Sequence, residues 1–261
     1  MEWNGLNKLS PYKKGSKACA LPLQKRNVGV RFIEPVRCGM ELSQGVQSSV
    51  TVLWKRLMGK IIRINSEKPE GKRIEEAVDV LRRGGLVIFP TDTVYGLGAS
   101  IRFPKTIKKI YRIKKRSGKK PLVFLIGFKK DIRKFINRLS GEVKELIRDF
   151  WPGPLTLVFS SKKHKTIALR MPDHRITLGL IRGAGPLAVT SANLSGRKEN
   201  VSLKGVEDRL LKETDLCIDG DRATLGRVST VLDVTNYPFR VVREGCVKEK
   251  ELRKVTSGKD R

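Results

Sequence analysis

Leu86-Val87-Ile88-Phe89-Pro90-Thr91-Asp92-Thr93-Val94-Tyr95-Gly96-Leu97-Gly98 is the stretch on which the reading of this chain turns. Leu86–Phe89 is an apolar run of strand length, and it opens directly into hydroxyls, an acid, a tyrosine and two glycines. Just upstream, Ile74, Ala77, Val78 and Leu81 recur at i, i+3, i+4 and i+7. That spacing predicts a helix over Lys72–Arg83, closed by Gly84-Gly85. A helix, then a buried strand, then a polar loop over Pro90–Gly98 is the grammar of an α/β sheet. Ligands bind at strand ends in such sheets. Small hydroxyl side chains and glycines expose backbone to a ligand, although the same residues also make an ordinary turn in which Asp caps its own backbone.

The same alternation continues outward. Ile61–Ile64 reads as a strand. Pro104–Lys114 reads as a helix with Ile107, Ile110 and Tyr111 facing inward, and Leu122–Ile126 as a strand. Asp131–Leu139 and Gly141–Phe150 read as helices, Leu155–Phe159 and Thr166–Arg170 as strands, Arg175–Ile181 as a short helix and Leu187–Thr190 as a strand. Leu203–Leu211 reads as a helix, and Cys217–Asp219, Thr230–Val234 and Arg240–Val242 as late strands. Short connections and paired strands late in the chain predict one α/β domain over residues 58–250, built on a twisted, mixed, open sheet flanked by helices. The stretch after it, 251–261, reads as a polar tail that frays.

Residues 1–57 are different. They carry ten basic and three acidic residues and no convincing period. They lack the continuous apolar core of a secretory signal. An acid-poor transit segment is one reading. A start at Met58, where regular patterning begins, is the preferred one, which makes 1–57 an extension without function.

Charge separates this chain from ordinary globular proteins. Fifty-five Lys and Arg against 26 acidic residues give +29, and the body alone carries +22. Such an excess attracts polyanions, whether RNA, DNA, nucleotides or anionic lipid, or else it marks a lysine-rich surface. No run approaches the roughly 18 apolar residues that span a bilayer, so no membrane partner is expected. Cys19, Cys38, Cys217 and Cys246 form no Cys-x-x-Cys pair, and the only histidines are His164 and His174. A protein-bound metal and a disulfide framework are therefore not expected, and a reducing, cytoplasmic setting is. Both histidines lie among polar residues and read as surface positions. There is no P-loop, no Gly-x-Gly-x-x-Gly after a strand and no Gly-x-Ser-x-Gly elbow.

Polar segments at strand ends remain. Lys114-Lys115-Arg116-Ser117-Gly118-Lys119-Lys120-Pro121 puts five cations in seven residues. Arginine grips phosphate or carboxylate bidentately and lysine supplies a mobile point charge. The cluster suits ATP polyphosphate, an RNA backbone or a solvated charge run alike. Thr190-Ser191-Ala192-Asn193-Leu194-Ser195-Gly196 follows an apolar strand and could cradle phosphate with hydroxyls and backbone N–H groups, or cap a helix. Gly226-Arg227-Val228-Ser229-Thr230 leads into a strand, with Arg243 downstream.

Taken together, Phe89–Gly98, Lys114-x-Arg116 with Pro121-Leu122, Trp151-Pro-Gly-Pro-Leu-Thr156, Arg170-Met-Pro-Asp-His174, Ser191-x-Asn193 with Leu-Ser-Gly, and Ser229-Thr-Val-Leu-Asp233 resemble the YrdC-like threonylcarbamoyl-AMP synthase family. Each piece is weak alone; in this order and spacing, from about Lys72 to Val247, they are specific. The resemblance implies a single YrdC-like domain with a basic concave site. It implies an enzyme that joins L-threonine, bicarbonate and ATP, with Mg²⁺ arriving on the ATP, to give threonylcarbamoyl-AMP and pyrophosphate. A separate tRNA threonylcarbamoyl transferase complex would then modify adenosine 37 of tRNAs reading ANN codons. By the family pattern Lys114 and Arg116 are the catalytic cations. Arg116, Lys120, Thr166, Ser191, Asn193 and Arg243 bind ATP, and Thr93, Arg170 and Ser229 bind L-threonine. Two positions depart from the pattern: Leu125 stands where longer members carry a histidine, and Val228 where a glutamate often precedes Ser-Thr. Together with the missing C-terminal domain of longer members, they indicate the short, single-domain subtype. The alternative is a non-catalytic protein that binds tRNA or double-stranded RNA on the same basic face. A carbamoyltransferase-type maturation domain is a third reading, unsupported by any acylphosphatase-like or zinc-finger segment.

Overall fold

A computed structural model describes residues 59–257, apart from 119, 163 and 164. The expectations for residues 1–57, for Lys119 and for His164 lie outside the described residues. Strand β1 covers Lys60–Arg63 and helix α1 covers Gly71–Arg82. Next come β2 (Val87–Phe89), β3 (Gly96–Ser100), α2 (Pro104–Ile113) and β4 (Val123–Leu125). A 3₁₀ turn at Lys129–Lys134 leads to α3 (Gly141–Phe150), β5 (Leu155–Ser160) and β6 (Thr166–Arg170). Helix α4 (Arg175–Ala184) and β7 (Leu187–Ser191) follow. A 3₁₀ turn at Leu203–Gly205 precedes α5 (Asp208–Glu213), β8 (Leu216–Asp219), β9 (Thr230–Asp233), β10 (Arg240–Arg243) and α6 (Glu249–Ser257).

All ten strands form one sheet in the order β1-β8-β2-β3-β7-β4-β6-β5-β9-β10. Pairing is mixed: β1/β8, β8/β2, β4/β6 and β5/β9 run parallel, and the other five pairs antiparallel. The mixed open sheet is the expected one.

Strand alternation sorts the core into two faces. On the front, Val87, Phe89, Leu187, Val189 and Leu125 pack under α1 and α4. The two helices cross closely, because a Cβ on Gly183 would lie 2.6 Å from a Val78 methyl. On the back, Ile88, Leu97, Ala99 and Ala188 pack under α2, while Leu157, Phe159, Ile167 and Leu169 pack under α3 and α6. Two helices thus cover one half of the front and leave β4, β6, β5 and β9 partly open, which positions the site.

Four local expectations change. Gly96–Gly98 is not loop but the start of β3, paired to β2 and β7. A Cβ on Gly98 would come 2.8 Å from Val189 and 3.0 Å from the Phe89 ring. These glycines therefore admit side chains from neighbouring strands instead of marking a turn. Asp131–Leu139 is not a helix: a 3₁₀ turn covers only Lys129–Lys134, and Ser140 then caps the next helix, its hydroxyl accepting from the Val143 N–H at 3.4 Å. Leu203–Leu211 splits at Gly205, and Val206 is extended. Of the expected polar tail, residues 251–257 belong to α6, which buries Leu252, and 258–261 lie outside the described residues.

Candidate active site

The β2–β3 turn folds around one hydroxyl. Thr91 Oγ1 donates to the Val94 carbonyl at 2.7 Å and accepts from the N–H groups of Thr93 and Val94 at 3.1 and 3.3 Å. A Thr side chain that satisfies backbone in this way stabilises a tight turn. Thr91, Asp92 and Thr93 are all buried despite their polarity. Thr177 on α4 donates to the Pro90 carbonyl, so the turn is braced from below. Tyr95 ties it to the segment after β8: its hydroxyl donates to Asp221 O at 2.7 Å and accepts from Gly220 N at 3.1 Å. Burial pushes that phenol up to about 12, so it stays a neutral donor.

Arg170, at the end of β6, joins this turn to the second half of the sheet. Its guanidinium donates through Nη2 to Asp92 Oδ1 at 2.5 Å, through Nη1 to Thr93 Oγ1 at 2.9 Å and through Nε to Gly153 O at 2.9 Å. Both side chains of the ion pair are below 10% exposed, at 7% and 5%. Three of the five guanidinium N–H groups are spent in this way. The other carboxylate oxygen, Asp92 Oδ2, is buried without a hydrogen-bond partner. Beside Arg170, Thr156 Oγ1 and Ser229 Oγ lie 2.9 Å apart, and Arg243 Nη2 donates to Ser229 O at 2.9 Å. Burial, and then the nearby Arg170 and Arg116, lower the Arg243 pKa, while Glu199 opposes the shift. His174 is not the surface residue expected. It is half-buried at the N-cap of α4, its Nδ1 has no partner, and burial lowers its pKa toward the neutral imidazole.

The basic segment after α2 frames the other end. Arg116 donates through Nε to Lys120 O and through Nη2 to Pro121 O, both at 3.0 Å. These bonds curl the Lys-rich loop around the guanidinium. Lys114 is only 2% exposed. Its ammonium donates to Ser191 O, and to Asn193 Oδ1 at 3.2 Å. Asn193 in turn accepts from Ser191 Oγ and donates to Arg197 O, each at 2.6 Å. Burial, followed by repulsion from Arg116, brings the Lys114 ammonium down to about 8.

One cleft on the front face unites these parts. Its wall includes Thr93, Arg116, Arg170, Ser191, Ser229 and Arg243 among the sequence-predicted residues. Lys114 and Asn193 do not line it but underpin the Ser191 end. Lys120 and Thr166 are exposed and outside the wall; Thr166 lies two residues before Ala168, the partner of Val123. The wall also contains Thr156 and Tyr95, to which sequence reasoning gave no role. Thr156 was discoverable: it is the hydroxyl in the alternation Leu155-Thr156-Leu157, so it had to face away from the apolar side. Both departures from the family pattern, Leu125 and Val228, lie in the wall too. Among the described residues no helix is long and apolar enough to cross a membrane, and no group of three His, Cys, Asp or Glu could hold a metal ion.

The sequence model of the Sua5/YciO/YrdC family, described as telomere recombination, matches residues 79–245. A Pyrococcus abyssi protein named threonylcarbamoyl-AMP synthase is 35% identical over 199 residues, covering 72% of this chain and 58% of that protein. The crystal structure of P. abyssi Sua5 complexed with L-threonine matches with a TM-score of 0.72 at 35% identity, over 75% of this chain and 60% of that one. The crystal structure of E. coli YciO matches with a TM-score of 0.68 at 28% identity, over 75% and 100%. The chain therefore spans less than two thirds of the length of the P. abyssi relative.

Proposed function

The chain belongs to the Sua5/YciO/YrdC family, and from that premise we propose that it makes threonylcarbamoyl-AMP from L-threonine, bicarbonate and ATP. The observation that carries the reading is the two-ended cleft. One end is a buried set of hydroxyls around Arg170, and the other is Ser191 with Arg116. Arg170 stands in register with Leu125 and, through it, Leu187, four residues from Ser191. Four strand residues span about 13 Å, which suits an amino acid at one end and an adenylate at the other.

In this reading threonine's amine and bicarbonate condense to a carbamate with loss of water. A carbamate oxygen attacks the α-phosphorus of ATP, the bond to the β-phosphate bridging oxygen breaks, and pyrophosphate leaves. Such a displacement needs positioning and charge neutralisation more than a covalent nucleophile. Arg170 pairs with the threonine carboxylate through the N–H groups that Asp92, Thr93 and Gly153 leave unused. Thr93 and Ser229 read the hydroxyl, to which valine offers no counterpart. Arg116, Lys120 and Arg243 neutralise the phosphates, with Thr166 at the mouth. Ser191 holds the nucleotide, and Asn193 and Lys114 support it from behind by fixing the Ser191 end of the cleft. The wall offers hydroxyls and cations rather than carboxylates, a donor set that fits Mg²⁺ carried on the ATP and not a protein cage. The nucleotidyltransferase product then passes to a separate transferase acting on adenosine 37 of ANN-reading tRNAs, and the site of action is cytoplasmic.

The test is pyrophosphate release from ATP and bicarbonate, comparing L-threonine with L-valine and L-serine, for the full chain and for Arg116→Ala. Threonine-dependent release that Arg116→Ala abolishes is expected. A well-folded protein with no threonine-dependent release sinks the proposal. RNA binding that falls steeply with salt would then take its place as the account of the charge.

A further inference from the structure

A second cavity lies on the opposite face of the sheet. Its volume is about 650 Å³, and its lining is mostly apolar. The floor is Phe124 of β4 and Ile167 of β6, the back-facing neighbours of residues whose alternate positions, Val123, Leu125 and Arg170, line the front cleft. One wall is Ile107 on α2; the other is Phe135, just past the Lys129–Lys134 turn. The cavity therefore fills the seam between the two back-face core clusters, and Phe124 packs against both of them.

Three features set this seam apart from the rest of the back face. Phe124 and Phe135 meet edge to face with ring centroids 5.9 Å apart, which gives the floor a defined aromatic corner. Ile101, Ile107, Phe124 and Phe135 all stay half-buried while converging on the same space. The charge at its mouth is one-sided. Arg102, Lys108 and Lys134 line it, and no acidic residue does. Lys134 is paired with Asp131 at 2.7 Å, whereas Arg102 and Lys108 are exposed and have no acidic partner among the described residues. An apolar pocket of a few hundred Å³ with a small number of placed polar groups is the usual form of a small-molecule site.

We infer that this cavity binds a small amphipathic organic anion, with an aryl or acyl body against Phe124, Phe135 and Ile107 and one anionic group at Arg102 and Lys108. The volume is that of a small molecule, and cations without a lining carboxylate favour an anion over a cationic amphiphile. The site is separate from the front cleft and does not depend on the reaction proposed for it.

The probe is 8-anilinonaphthalene-1-sulfonate, with the uncharged N-phenyl-1-naphthylamine as its counterpart of the same shape. Both are titrated by fluorescence into the full chain at physiological salt, with and without excess ATP. One blue-shifted sulfonate site per chain, undisturbed by ATP, is expected. In the variant Arg102→Glu/Lys108→Glu the sulfonate should weaken by about tenfold or more, while the uncharged probe keeps its affinity and so reports an intact cavity. Four results overturn the inference: no saturable sulfonate site, displacement by ATP, equal sulfonate affinity in the variant, or parallel loss of both probes.

Discussion

Arg170→Met should cost the fold more than any other single change at the site. The substitution keeps length and apolar bulk but removes the guanidinium. Asp92 would be left 3% exposed with no partner on Oδ1, and Oδ2 has none to begin with. Thr93 Oγ1 and Gly153 O lose donors at 2.9 Å as well. Breaking a buried pair by deleting one member costs about 3–5 kcal/mol, because the surviving charge stays desolvated. For a folded region of roughly 200 residues each kcal/mol moves Tm by about 2–4 °C, so a fall of about 6–20 °C is expected. The assay is urea unfolding and thermal melting of wild type, Arg170→Met, Asp92→Leu and the double variant. If the penalty comes from the orphaned charge, the double variant should be more stable than the sum of the singles by about 2 kcal/mol. A loss below about 1 kcal/mol in Arg170→Met, or additivity within about 0.5 kcal/mol, refutes the reasoning.

Lys114 makes a pH prediction. Its folded pKa is about 8 against an ordinary 10.5, so between those values the unfolded chain holds a proton that the folded chain has released. Stability from this residue therefore rises with pH through that window. Wild type should gain in Tm over Lys114→Met as pH climbs from below about 8 to above about 10, and a constant or shrinking gap contradicts the assignment. Gly98→Ala should destabilise by about 1–3 kcal/mol through overpacking against Val189 and Phe89; Val189→Ala in the same chain should recover part of the loss in urea titrations. Ser229→Ala removes the hydroxyl facing Thr156 at 2.9 Å. Steady-state pyrophosphate release should show KM for threonine raised about tenfold or more with KM for ATP little changed. An equal rise in both would place Ser229 elsewhere in the cleft.

Much of the architecture could be read from periodicity alone. The stripe Ile74, Ala77, Val78, Leu81 and the runs Leu86–Phe89 and Leu155–Phe159 have one plausible structure each, because local propensity and burial agree there. The misreadings fall where tertiary contact overrides local signal. Gly96-Leu97-Gly98 looks like a loop in isolation, and only Val189 and Phe89, brought alongside by β7 and β2, explain why glycine is needed in a strand. Helix α6 has a thin apolar face, and it forms by docking on α3, a partner about a hundred residues earlier.

At the site, the residue types that line the cleft were legible, since hydroxyls and arginines such as Thr93, Arg116, Arg170, Ser191, Ser229 and Arg243 stand in polar segments where apolar strand runs end. Their division of labour was not. Lys114 and Arg116 are two residues apart, yet one is buried against Ser191 and Asn193 and the other lines the cleft. Arg170 and Asp92 are 78 positions apart and become a buried ion pair only when β6 and the β2–β3 turn meet. Sequence determines which side chains can carry charge and which way alternation points them. Whether a charge meets solvent, a ligand or another buried charge is decided by long-range strand order, because desolvation and Coulomb energy depend on distance in space and not along the chain.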